Sequence, residues 1–169
     1  IRKLVFSLLI IFSVPLPVRS GIEIPLRKDC SLVKNKQSYD YYDRQEAHDF
    51  GRKIQALIAK KDINGIYENV LIGELQNGPR RKFIKNKSFE QIFPKDWVKK
   101  VSNSEIPCGS SGWRGFMIAN GRIWFDKNKK YGWTIVSING VNQESFKDEE
   151  LIGWETTKGI IPPLSLIHI

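Results

Sequence analysis

Apolar residues Tyr42, Ala47, Phe50, Ile54, Leu57 and Ile58 fall near i, i+3 and i+4 spacing. That spacing predicts an amphipathic helix over 41–60, with Asp40 or Asp43 as its cap. Asp62-Ile63-Asn64-Gly65 makes a short break. Ile66, Tyr67, Val70 and Leu71 then form the apolar side of a short helix, 63–71. In 73–85, Asn77-Gly78 is a tight-turn dipeptide, so this stretch reads as a short or irregular hairpin in which Pro79 limits the ladder. Phe89, Ile92, Phe93, Trp97 and Val101 return to helical spacing over 88–101. Pro94 must sit in a first turn or a kink, which divides the stretch into 88–93 and 95–102.

After residue 112 the pattern changes to strands. Residues 113–119, 122–126 and 133–139 are rich in aromatic and β-branched side chains. Asn120-Gly121 is a second tight-turn signal, and 127–132 is a polar loop. Together they predict an antiparallel meander. Residues 141–152 are acidic and read as a loop or short helix. No fixed-period repeat is present, which argues against a solenoid. Helices cannot bury an apolar stripe alone, so the expected fold is α+β, with helices on one face of a curved antiparallel sheet.

Over 41–139 this order of elements resembles the cone-shaped nuclear transport factor 2-like superfamily, which includes SnoaL-like and ketosteroid-isomerase-like proteins. That resemblance implies a ligand pocket on the concave face. A cystatin-like helix-on-sheet arrangement is the alternative. The segments GWRGFMIANGRIWFD and WTIVSING also resemble small secreted bacterial proteins.

The two ends read differently from the 41–163 domain. Arg2 and Lys3 precede an apolar run from Leu4 to Val14, broken by Pro15 and Pro17. Val18-Arg19-Ser20 then offers a cleavage site, so 1–20 has the layout of a secretory signal peptide. The run is short for a membrane span, which takes about 20 apolar residues. Residues 21–40 read as an extended leader. The first residue is Ile1, as in a fragment, and the last six, LSLIHI, match a peptide encoded by a sequencing adapter. On that reading 164–169 is foreign.

The chain has 27 Lys+Arg against 18 Asp+Glu, a formal net charge of +9. Removing 1–20 takes away Arg2, Lys3 and Arg19 and no acid, so the basicity persists. Part of it lies in Arg80, Arg81, Lys82, Lys85 and Lys87, a run that suits an anionic polymer or membrane surface. The bland reading is a solvated strand edge protected by lysines. Nucleic acid is the poor choice for an exported protein without a nucleic-acid motif. Two cysteines and two histidines exclude a Cys-rich zinc module and leave little for a His-based metal site, so no metal or cofactor is expected. In a secreted protein, Cys30 and Cys108 read as a disulfide.

Pro107-Cys108-Gly109-Ser110-Ser111-Gly112 lacks the G-x-S-x-G elbow of a serine nucleophile and reads as a turn into a strand. Trp113, Trp124 and Trp133 fall one on each expected strand, Trp124 and Trp133 as cross-strand neighbours. Arg114 would point into the concave face and take a carboxylate or phosphate. The plainer alternative is a salt bridge to Asp126 or Glu74. His48, Asp49 and Asp126, with tyrosines such as Tyr131, are the residue types available for acid–base chemistry, and no spacing pairs them. A surface histidine beside an acid is the bland reading of His48.

Three functions follow as expectations. The favoured one is an exported, non-enzymatic protein binding a small ligand or protein partner near Arg114, Trp124, Tyr131 and Trp133. The second is a SnoaL-like enzyme in the same pocket, favoured by a pocket that converges Arg114 with an unpaired Asp or Tyr. The third is an envelope module using the basic run.

Overall fold

The computed structural model of the chain describes residues 24–33 and 42–153. The expected signal peptide, the tail, part of the leader and Asp40 lie outside them. Helices α1 (Arg44–Ala59) and α2 (Ile63–Asn69) come first. Strand β1 (Gly78–Pro79) and helices α3 (Arg81–Ile84), α4 (Phe89–Ile92) and α5 (Lys95–Asn103) follow. Strands β2 (Phe116–Ile118), β3 (Ile123–Asn128), β4 (Gly132–Ile138) and β5 (Leu151–Ile152) complete the fold. This is α+β with antiparallel sheets, β2-β3-β4 and β1-β5.

The first helix starts where its cap allows. The Asp43 carboxylate accepts hydrogen bonds from the Gln45 and Glu46 amides at 2.7 and 2.9 Å, satisfying donors that have no intrahelical partner. Its inner face buries Ala47, Gly51, Ile54 and Ile58. A Cβ at Gly51 would lie 2.5 Å from Ile106 and 3.1 Å from Phe125, so this glycine lets α1 settle onto the sheet. Phe50 stacks on Trp133, and Phe116 stacks on Phe125, their ring centroids 5.9 and 5.3 Å apart. Aromatic side chains therefore fill the space between helix and sheet. Pro94 caps α5 and separates it from α4, as the sequence predicts.

Three expectations need correction. First, 73–85 is not a hairpin. The Gln76 amide donates to Val136 O at 2.7 Å, and the Ile138 amide donates to Asn77 O at 3.0 Å. Gly78 and Pro79 then pair with Ile152 and Leu151, so the segment runs between β4 and β5. Gly78 has φ +110°, and a Cβ there would fall on Ile138 O. The glycine permits close backbone approach instead of a turn.

Second, β2 begins at Phe116, because Gly112–Arg114 is a 3-10 turn. Gly115, at φ 84° and ψ −148°, ends it in a conformation reserved for glycine. Its Cα has no room for a side chain, since a Cβ would lie 2.7 Å from Phe125 O. Third, Trp124 pairs with Ser137 and Trp133 with Lys127, so the two tryptophans are not cross-strand neighbours. A bulge falls between Trp124 and Phe125. Trp133 shares the face of Phe125 and looks toward α1, while Trp124 lies on the opposite face.

Candidate functional site

Cys30 and Cys108 form a disulfide that spans 78 residues and joins the leader to the segment before β2. Both cysteines are buried. His48 lies beside them, buried to 2% exposure, so it is not the surface histidine of the bland reading. Its Nε2 accepts from the Lys28 amide at 3.0 Å. Its Nδ1 meets Ile106 O at 3.2 Å and donates to it as the neutral tautomer. Burial pushes the imidazole below its ordinary pKa.

The donor atoms of Cys30, His48 and Cys108 lie within 4.8 Å of one another. The sulfurs are bonded to each other, however, and both ring nitrogens face backbone groups, so the cluster acts as a clamp on the leader and on Ile106. Asp49 is exposed and turned to Arg27, which donates two hydrogen bonds of 2.7 Å and holds the carboxyl below its usual range. His48 and Asp49 thus serve separate contacts.

Cys108 opens a small-residue loop that Gly115 closes, with the Ser111 amide donating to Gly115 O at 2.7 Å. Between these fixed ends, Trp113 stands out at 82% exposure. The Arg114 guanidinium lies 5.3 Å from the Trp113 ring centroid, a cation–π contact. The described residues hold seven arginines, and the other six each donate to a protein oxygen. Arg27 reaches Asp49, Arg44 Val33 O, Arg52 Pro25 O, Arg80 Glu149 O, Arg81 Leu71 O and Arg122 Ala119 O. Among the described residues Arg114 meets none, and the expected salt bridge to Asp126 or Glu74 is not made.

Two concavities meet at this loop. One, about 510 Å³, is lined by Gln76, Arg114, Trp124, Ser137 and Asn139, together with Trp113 and Asp126. The other, about 960 Å³, has Tyr42, Lys127, Asn128 and Lys129, and again Trp113 and Asp126. Both fall in the size range of small-ligand sites, about 300–1,000 Å³. Gly115 places the loop against Asp126, since a Cβ there would lie 3.0 Å from the Asp126 Cβ. One Asp126 oxygen accepts from the Lys127 amide at 2.7 Å. Among the described residues, the side chains of Gln76 and Ser137 have no hydrogen-bond partner.

The groove takes up Arg114, Trp124 and Asp126 from the sequence-predicted residues and leaves out two. Trp133 packs under α1 and donates to Glu46 at 3.4 Å. Lys127 bridges to the same carboxylate at 2.9 Å, and these two contacts hold Glu46 below its usual pKa, Lys127 contributing more. Tyr131 lies against Gly73 at the β3–β4 turn, where a Cβ on Gly73 would lie 3.2 Å from its ring. Sequence reasoning missed Trp113 as an exposed side chain and Gln76 as a wall. The signal for Trp113 was its flanking glycines, Gly112 and Gly115, both at positive φ.

The basic run is a one-turn helix, α3, followed by a turn that holds Lys85 and Lys87, not a strand edge. Arg81 donates to Leu71 O at 2.6 Å and to the Tyr67 hydroxyl at 2.9 Å, and it covers the Tyr67 ring. Lys87 bridges to Glu150 at 3.2 Å. Lys82 and Lys85 lie over the Phe83 and Tyr67 rings. Among the described residues, no helix is long and apolar enough to cross a membrane. No family model, curated protein or solved structure matches the chain.

Proposed function

We propose that this is an exported, non-enzymatic binding protein that takes an anionic ligand in the groove beside Trp113, Arg114 and Trp124. The observation that carries the reading is Arg114. Among the described residues this exposed guanidinium, in a loop anchored by the disulfide and by Gly115, meets no protein oxygen, which leaves it available for a bidentate contact with a carboxylate or phosphate. The disulfide supports an oxidising compartment, in keeping with a signal peptide at 1–20. The nuclear transport factor 2-like resemblance put the ligand on the face that also carries Trp133. Phe50, Phe116 and Phe125 crowd that face, so the reading moves the ligand to the Trp124 side of the sheet.

One observation favours the enzyme reading: Arg114 and Asp126 line the same concavity. Against it, Asp126 is the single carboxylate among the described lining residues, and the groove is open to water. Acid–base chemistry of the ketosteroid-isomerase type uses a dry pocket and a second donor, and glycoside hydrolysis uses two carboxyl groups.

The test is an amide and side-chain NMR titration with a panel of sugar acids, amino acids and phosphate monoesters. At least one should shift the Trp113 indole and Arg114 Nε signals in the wild type and leave the Arg114→Ala groove unshifted. The reading fails if no member shifts the groove, or if the shifts fall on α3.

A further inference from the structure

The groove's chemistry also narrows the ligand's class. Resting on the binding reading above, we infer that the ligand is an acidic oligosaccharide, a chain of sugar rings bearing carboxylates. A pyranose has a face of C–H bonds and a rim of hydroxyls. Trp113 offers a flat indole open to water, and its electron-rich face suits the C–H side of such a ring. The rim needs small donors and acceptors, and the side chains of Gln76 and Ser137 and the second Asp126 oxygen, which have no hydrogen-bond partner among the described residues, supply them.

The charges select among anions. The planar Arg114 fork matches a carboxylate. A phosphate monoester carries nearly two charges and would lie beside the Asp126 carboxylate, which disfavours it. A peptide strand would seek free backbone groups at a sheet edge. The first concavity lies on the Trp124 face of the sheet, where side chains do the recognition.

The length follows from the two concavities. They share Trp113 and Asp126, so a chain crossing the exposed indole would place neighbouring rings on either side. Lys129 lines the second concavity and makes no ion pair among the described residues, which suits a second carboxylate.

Calorimetric titration tests this with three probes: tetragalacturonate, its methyl ester and monomeric galacturonate. A hyaluronan tetrasaccharide serves as a second acidic chain. At least one acidic tetrasaccharide should bind the wild type. Losing a charge-assisted bond predicts binding at least about 10-fold weaker for the methyl ester of tetragalacturonate than for tetragalacturonate. The monomer, Arg114→Ala and Trp113→Ala should each show a loss of the same order. Lys82→Ala with Lys85→Ala should bind as the wild type does. NMR spectra of each variant establish that it is folded.

Equal binding of the ester removes the carboxylate from the inference, and equal binding of the monomer removes the chain. If neither tetrasaccharide binds, the sugar class is wrong. The binding reading itself then stands or falls on the small-anion panel, which does not depend on sugars. Uridine monophosphate binding more tightly than both tetrasaccharides would also overturn the inference.

Discussion

Arg81 gives its guanidinium to Leu71 O, Tyr67 O and the Tyr67 hydroxyl. Arg114, 33 positions later, gives its own to no oxygen among the described residues. In the Arg80–Lys87 run the cations hold the chain: α3 is one turn long and depends on them to dock on α2 and on the segment before β5. In the 109–115 loop the chain holds the cation, through a disulfide at one end and a glycine at the other. Among the described residues, Arg80, Arg81 and Lys87 of the charged run are engaged in polar contacts within the fold, whereas Arg114 is not.

If the backbone holds the loop, cutting its anchor should have the largest effect. Cys30→Ser with Cys108→Ser should cost about 2–5 kcal/mol of stability in urea denaturation, the usual loss for a native disulfide closing a long loop. Amide exchange should rise more at 109–115 than at 81–87. A loss below 1 kcal/mol, or equal exchange in both segments, would break the comparison.

The second effect falls on α3. Arg81→Ala should cost about 1–3 kcal/mol, because it removes hydrogen bonds from a charged group and the cover of a ring. Arg81→Lys should recover little, since one ammonium cannot reach the same oxygens as a planar fork. A neutral Arg81→Ala would mean that these cations hold nothing.

A smaller, pH-dependent loss comes from His48, which clamps Lys28 and Ile106 next to the disulfide. Its pKa is lowered in the fold by burial, so below about pH 6.5 the unfolded chain binds more protons than the native one. Stability from the neutral imidazole is thus complete above that pH and falls as the pH drops toward the lower native value. Denaturation at pH 8, 6 and 5 should show the decline, and His48→Gln should reduce it. An identical decline in the variant would assign it to groups other than His48.

How far the sequence could be read follows the same division. Where apolar spacing and a cap act locally, the reading holds: α1 starts at Asp43, and Pro94 divides α4 from α5. The Cys30–Cys108 pairing was legible from compartment and count. Where the decisive contact is distant, it does not. Asn77-Gly78 reads as a turn until Ile138 O and β5 arrive from about 60 and 70 positions away. The strand at 113 reads as continuous because hydrophobicity says nothing about Gly115 touching Phe125 O. Of the groove, Arg114, Trp124 and Asp126 were visible as types. Their shared face depends on the β3 register and on Gly115, neither of which leaves a local pattern.

The smallest effect decides most. If the groove is built for a ligand and not for the fold, Arg114→Ala and Trp113→Ala should each change stability by less than about 0.5 kcal/mol, as surface substitutions away from packed features do. Trp113 is 82% exposed, so truncating it removes little buried area. Among the described residues the Arg114 guanidinium has that ring contact and no hydrogen bond or ion pair, and an exposed cation–π contact is worth about 0.5–1 kcal/mol at most. Urea denaturation of both variants beside Arg81→Ala makes the contrast internal to one experiment. Two cations of the same type should then separate by roughly 1 kcal/mol or more. If Arg114→Ala were as costly as Arg81→Ala, the guanidinium would be structural, and Arg114 would not be an anion site.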